Sequence, residues 1–252
     1  MKFTDYINSH HAFTTARLMS AMDSPNAAEE QLRLAVKSGS VERARRGVLV
    51  SNHGRYQDAP LDPAELLAAL DPAAILSHHS ALGAWGVAHD AGFTCRFRSD
   101  SIRSAFTFRG VSYEPCGPLG GVPVAGVRAS WGRRRVTTRE QTVLDCLGRP
   151  HFSGGAEEAV RGASAFVWLD VNALTRLAVS AGPSAAARTG WLLEQKQDDW
   201  HVGEEALTRL QAALSRGPYR LGRVQGEGGW SARWRLVLPE SNEEVASWIT
   251  HT

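Results

Sequence analysis

The stretch that decides the fold is FTTARLMSAMDSPNAAEEQLRLAVKSGSVERARRGVLVS, residues 13–51. Thr14 and Thr15 precede ARLMSAM, and hydroxyl side chains satisfy the free amides of a first helical turn. Leu18, Met19 and Met22, with Ala16 and Ala21, give that helix an apolar side. Asp23-Ser24-Pro25 reads as a turn. Ser24 suits an N-cap, and Pro25 suits the first helical position, where no amide hydrogen is needed. The second helix is predicted over Pro25 to Ser38, with Gly39 as its stop. At about 100° per residue, Ala28, Leu32, Ala35 and Val36 share the core side, while Asn26, Glu30, Arg33 and Lys37 share the far side. Leu34 also falls on the outer face. Val41–Ala44 and Val48–Ser51 read as strands joined at Arg45-Arg46-Gly47. Helix, turn, helix and hairpin in this order describe a winged helix-turn-helix. An opening helix over residues 2–10, with Phe3, Tyr6 and Ile7 on one side, closes its small core.

Such a unit points to DNA. Thr15 and Ser24 sit at the two helix starts. Asn26, Glu30, Arg33 and Lys37 can reach a base edge or a phosphate. Arg43, Arg45 and Arg46 on the wing suit a phosphate backbone or a minor groove. The same small fold also serves as a protein-docking module, and the outward Leu34 fits that alternative.

The chain has 252 residues, 43% hydrophobic and 21% charged, which is room for one or two globular domains with a sizeable core. No apolar run is long enough for a bilayer, and MKFTDYINSH lacks the apolar centre of a secretory signal, so a cytoplasmic protein is expected. Cys95, Cys116 and Cys146 are too scattered for a disulfide framework or a zinc pattern. The formal net charge of +2 hides an uneven distribution. Residues 59–95 carry no basic and 4 acidic side chains, whereas residues 96–139 carry 9 basic and 2 acidic.

NHGRYQDAP, residues 52–60, has no periodicity and marks the boundary between a domain over 1–52 and a larger one over 61–252. Leu61–Leu70 reads as a helix capped by Asp62 with Pro63 in its first turn. A short element follows near Ala74, then a helix from Ser77 or Ser80 to Gly86. Phe93–Arg98, Phe106–Arg109, Val111–Glu114 and Val122–Arg128 read as short strands of a small, mostly antiparallel sheet. WGRRRVTTR, residues 131–139, is the sharpest charge cluster. Arg133, Arg134 and Arg135 beside Trp131 suit phosphate contact, or make a solvated turn before the next helix. Thr138 caps a helix over Arg139–Leu147, whose lone Asp145 among apolar neighbours reads as structural. Helices follow from Gly155 to about Ala165, Asp170 to Ser180, Ser184 to Gln195 and Glu204 to Ser215. A last strand, Arg233–Leu238, would close or extend the sheet. The class is therefore α+β.

No phosphate loop, dinucleotide fingerprint, nucleophile elbow or H-E-x-x-H run is present. His78 and His79 are adjacent and point different ways, so with His89 they do not make a usual zinc pair. Lys2, Lys37 and Lys196 are the whole lysine complement, and none sits among clustered acids as a nuclease would need. No enzyme activity, cofactor or metal is expected.

Three stretches carry a resemblance: the winged unit with RARRGVLV, then ILSHHSALGAWGV (75–87), then VTTREQTVLDCLGRPHFSGGAEEAVRGA (136–163) followed by ARTGWLLE (187–194). Together they resemble the AbiEi-type antitoxins of type IV toxin–antitoxin systems, over most of the chain. The resemblance implies a winged helix that binds inverted repeats in the operon's own promoter and represses it. It implies a second domain that counters a nucleotidyltransferase-like toxin without a stable complex. It also allows a stand-alone regulator with no toxin. Binding of inverted repeats implies two copies on DNA but does not require a dimer in solution, where a monomer is expected. The family supplies no general catalytic set, so no catalytic residue is carried over.

Overall fold

The computed structural model describes residues 1–224 and 228–250. It opens with helix α1 (Phe3–Ser9), strand β1 (Ala12–Thr14), helices α2 (Thr15–Ala21) and α3 (Pro25–Ser38), and strands β2 (Val41–Arg45) and β3 (Val48–Ser51). The Thr14 side chain accepts from the Arg17 amide and starts α2. Pro25 opens α3 and Gly39, at φ 79°, ends it. Ser24 stands at the N-cap of α3, but its side chain makes no capping bond. β1, too short to leave a sequence pattern, pairs antiparallel with β3 and gives the sheet order β1-β3-β2.

β3 is buried along its whole length because its two faces meet two cores. Leu49 packs beneath the helices with Phe13, Leu18, Leu32 and Val41. Val48 and Val50 face the other way and join Leu66, Leu76, Phe97 and Val136. Residues 52–60 hold a single 3-10 turn, Gly54–Tyr56. There Tyr56 stacks on His11, with ring centroids 4.4 Å apart.

The next layer contains α4 (Pro63–Leu70), β4 (Ile75–Leu76), α5 (His78–Trp85), β5 (Thr94–Arg98), β6 (Phe106–Phe108), β7 (Val111–Gly117), β8 (Val124–Ala129) and β9 (Gly132–Thr137). Six strands form one sheet in the order β6-β7-β5-β4-β9-β8. It is mixed, with three of its five pairings antiparallel, in keeping with the mostly antiparallel sheet expected. β5–β7 and β4–β9 are parallel, because the outer hairpin strands β6 and β8 take the edges and return β7 and β9 beside earlier strands. The arginine run at 133–135, which sequence left as a phosphate contact or a turn, lies inside β9.

Helices α6 (Arg139–Gly148), α7 (Ala156–Ser164), α8 (Val171–Ala181), α9 (Pro183–Gln195) and α10 (Glu204–Ala212) build the third layer. Leu82, Val143, Val160, Leu192 and Trp234 are fully buried there. Strands β10 (Tyr219–Arg220), β11 (Trp230–Ser231) and β12 (Leu236–Val237) precede α11 (Asn242–Ser247). The last strand expected over 233–238 is thus two residues long. It belongs to a separate sheet, β10-β12-β11, and does not extend the large one. Among the described residues no helix is long and apolar enough to cross a membrane.

Candidate nucleic-acid interface

The outer face of α3 is as the periodicity predicts: Asn26, Glu30, Arg33 and Lys37 are exposed, and Ala28, Leu32 and Ala35 are buried. One feature of it changes the chemistry. The Arg33 guanidinium donates to both carboxylate oxygens of Glu30, at 2.8 and 2.6 Å. This pair must open before the Arg33 guanidinium is free to donate elsewhere.

The β2–β3 hairpin is anchored at its tip, where the amide of half-buried Thr15 donates to the Gly47 carbonyl at 2.9 Å. Its three arginines are not equivalent, and a β-bulge between Arg43 and Arg45 is the reason. Cross-strand partners share a face of a sheet. Arg43 opposes Leu49 and so lies on the helix side, whereas Arg45 opposes Val48 and lies on the side of the second core. An unbulged strand would have put both on one face. Arg45 is spent on the fold: its guanidinium sits 5.1 Å from the Phe106 ring centre, and Nη2 donates to Ser104 Oγ at 3.2 Å. Beside it the Arg109 guanidinium grips the Glu42 carboxylate, at 3.1 and 2.5 Å. The hairpin is therefore docked on the β6 edge of the large sheet. Among the described residues Arg43 and Arg46 remain exposed and uncommitted, with exposed Arg103 on the neighbouring loop.

The Arg133–Arg135 run does not act as one patch. Strand alternation sends Arg134 to the face opposite its neighbours. There its Nε and Nη2 donate to Asp62 Oδ2 at 2.9 and 2.7 Å, and the same oxygen accepts from Trp131 Nε1 at 2.7 Å. Asp62 Oδ1 meanwhile caps α4 through the Ala64 amide at 3.0 Å. Arg134 is a clamp between β9 and α4, already engaged with Asp62 where a phosphate contact was expected of it. Arg133 and Arg135 are exposed, and Arg133 Nη2 also holds the Gly126 carbonyl at 2.8 Å. In the strand order β9 stands four steps from β6. At about 4.8 Å per step that is roughly 19 Å from the wing's docking edge.

Asp145 joins α6 to β5. It accepts from Arg98 at 2.6 Å and Gln141 at 2.9 Å, and burial holds its carboxyl above the usual carboxylate range despite that guanidinium. The His78 ring, at φ 51°, is pushed down to about 3 by burial and by the charges of Arg98, Arg149 and Arg96. The residue that sequence reading missed is Glu158. It brings His89 and Asp90 to itself, so that one ligand atom of each lies within 4.8 Å of the others. Its only sequence signal was an acid on the apolar side of a strongly amphipathic helix.

No family model matches the chain, and no curated protein matches it. Among solved structures it is similar to the crystal structure of the RV2827C protein from Mycobacterium tuberculosis. The TM-score is 0.64 over 94% of this chain and 89% of that one, at 17% identity. That likeness shows the fold alone, an α+β fold shared over nearly the whole length.

Proposed function

We propose that residues 3–51 are a winged helix-turn-helix that binds inverted repeats in the promoter of the chain's own operon and represses it. On the same reading the larger unit, residues 61–252, makes the chain the antitoxin of an AbiEi-type type IV pair. The observation that carries the DNA half is the exposed face of α3, Asn26 to Lys37, flanked by the uncommitted Arg43 and Arg46. A helix face of that composition fits a major groove, and two free guanidinium groups beside it fit the adjoining phosphates. The order of elements from α1 to β3 is the second support. Revised by the side-chain contacts, the reading assigns base contact to Asn26, Lys37 and a released Arg33, and phosphate contact to Arg43 and Arg46. Arg45 and Arg134 serve the fold, and Arg133 and Arg135 could reach phosphate on a longer site.

The test is binding to the duplex upstream of the gene, titrated at several salt concentrations against a scrambled duplex. Selective binding with a steep negative salt slope supports the repressor; equal, weak binding of both duplexes overturns it. For the antitoxin half, the chain is co-expressed with a nucleotidyltransferase-like toxin gene where one lies beside its own. Restored growth supports the reading, and unrelieved arrest sinks it. A second reading, a protein-docking module, is favoured by Leu34, which is 51% exposed on α3, and by the neutralising Glu30–Arg33 pair.

A further inference from the structure

We infer that His89, Asp90 and Glu158 form a binding site for a divalent cation of the zinc class. Glu158 lies on the inward side of α7, with a side chain only 4% exposed, where a carboxylate left without partners is costly. Its two oxygens are treated differently. Oε1 accepts from the backbone amides of His89 at 2.9 Å and Asp90 at 3.3 Å, and His79 Nε2 stands 3.3 Å away. Oε2 is buried and has no hydrogen bond. It lies 3.8 Å from Nδ1 of His89, and that same nitrogen is 3.3 Å from Asp90 Oδ1. Hydrogen bonding within the cluster accounts for Oε1 and leaves Oε2 unexplained.

The donor set is one imidazole nitrogen and two carboxylate oxygens, a combination that zinc accepts. Bonds of about 2.0–2.1 Å at tetrahedral angles put ligand atoms roughly 3.3–3.5 Å apart. The His89–Asp90 spacing already has that value, and the His89–Glu158 spacing needs a closure of a few tenths of an ångström. Coordination through Nδ1 requires the His89 proton on Nε2. His79 then holds the ligating carboxylate from outside, as ligands of metal sites are commonly held. The loop is built for that role: a Cβ on Gly92 would stand 2.6 Å from His79 Nδ1, so only glycine lets the loop close over the ring. The fourth position is left to water; of the three ligands, Asp90 also lines the adjoining cavity, together with His79 and Gly92. A bound ion would pin the loop after α5 to α7.

The full chain, stripped by a chelator, is titrated with zinc chloride alone by calorimetry and by thermal unfolding. One equivalent is expected, with a rise of roughly 5–10 °C in Tm at a zinc concentration about 100-fold above Kd. Glu158→Gln alone is ambiguous because the residue is buried. The deciding variant joins His89→Ala to Asp90→Asn, whose parent side chains are 60% and 72% exposed. It should keep the zinc-free Tm and lose at least about tenfold in zinc affinity, while His201→Ala binds as the parent does. Equal zinc affinity in the parent and the double variant, or no saturable binding by the parent, overturns the site.

Discussion

Replacing the two uncommitted wing arginines, Arg43→Ala together with Arg46→Ala, is expected to flatten the salt dependence of DNA binding by a calculable amount. Each copy on an inverted repeat loses two phosphate contacts, so two copies lose four. At about 0.9 per phosphate on B-form DNA the slope of log K against log salt shrinks by roughly 3.6. Between 50 and 200 mM salt, the advantage of the parent over the variant should then narrow by about 150-fold. Fluorescence anisotropy of a labelled upstream duplex at four salt concentrations measures this directly. The controls come from the structure: Arg45 is held by Phe106 and Ser104, and Arg134 by Asp62. Arg45→Ala and Arg134→Ala should leave the slope where it was. If Arg134→Ala flattens it as much as the double variant does, the division of arginines between fold and DNA is refuted.

Asp62→Asn removes the charge facing Arg134 while keeping an acceptor at the α4 cap, and should cost about 1–2 kcal/mol, read by urea denaturation of the full chain. Gly190→Ala places a methyl 2.1 Å from the buried Trp234 ring, with no room to yield; a loss of about 3 kcal/mol or of soluble protein is expected in a thermal scan. His78 binds no proton in the folded state until about pH 3, whereas the unfolded chain takes one up near 6.5. Its contribution is complete above pH 6.5 and is lost as pH falls toward 3, by up to about 1.4 kcal/mol per pH unit. His78→Asn, which tolerates the positive φ, should remove that one-proton slope; an unchanged slope would show that other groups set the acid limit.

Much of the fold was legible because local signals and tertiary packing agree. Thr14, Pro25 and Gly39 bound α2 and α3 as predicted, and the apolar side of α3 is the buried one. What was not legible has particular causes. β9 escaped because three successive arginines hide a period of two: residue type repeats while the side chains alternate, so Arg134 turns inward to Asp62 and its neighbours stay out. The unequal wing arginines depend on a bulge, and one extra residue leaves no mark in composition yet reverses facing. β1 is three residues long, too short for any pattern. The cluster at Glu158 joins residues almost seventy positions apart, and spacing rules that look for nearby histidines pass over it.

On the proposed repressor reading, the burial of β3 between two cores bears on how operator preference can change over evolution. Because Val48 and Val50 interlock with Leu66 and Phe97, transplanting residues 1–51 from a distant relative would set a foreign strand against a native core. The N-terminal unit is not an exchangeable cassette. New preferences have to arise where substitutions leave that shared strand alone, at Asn26, Glu30, Arg33 and Lys37, whose side chains stand clear of both cores. A lineage of such proteins should therefore diversify at those four positions while the wing strand and α4 change only in step with each other.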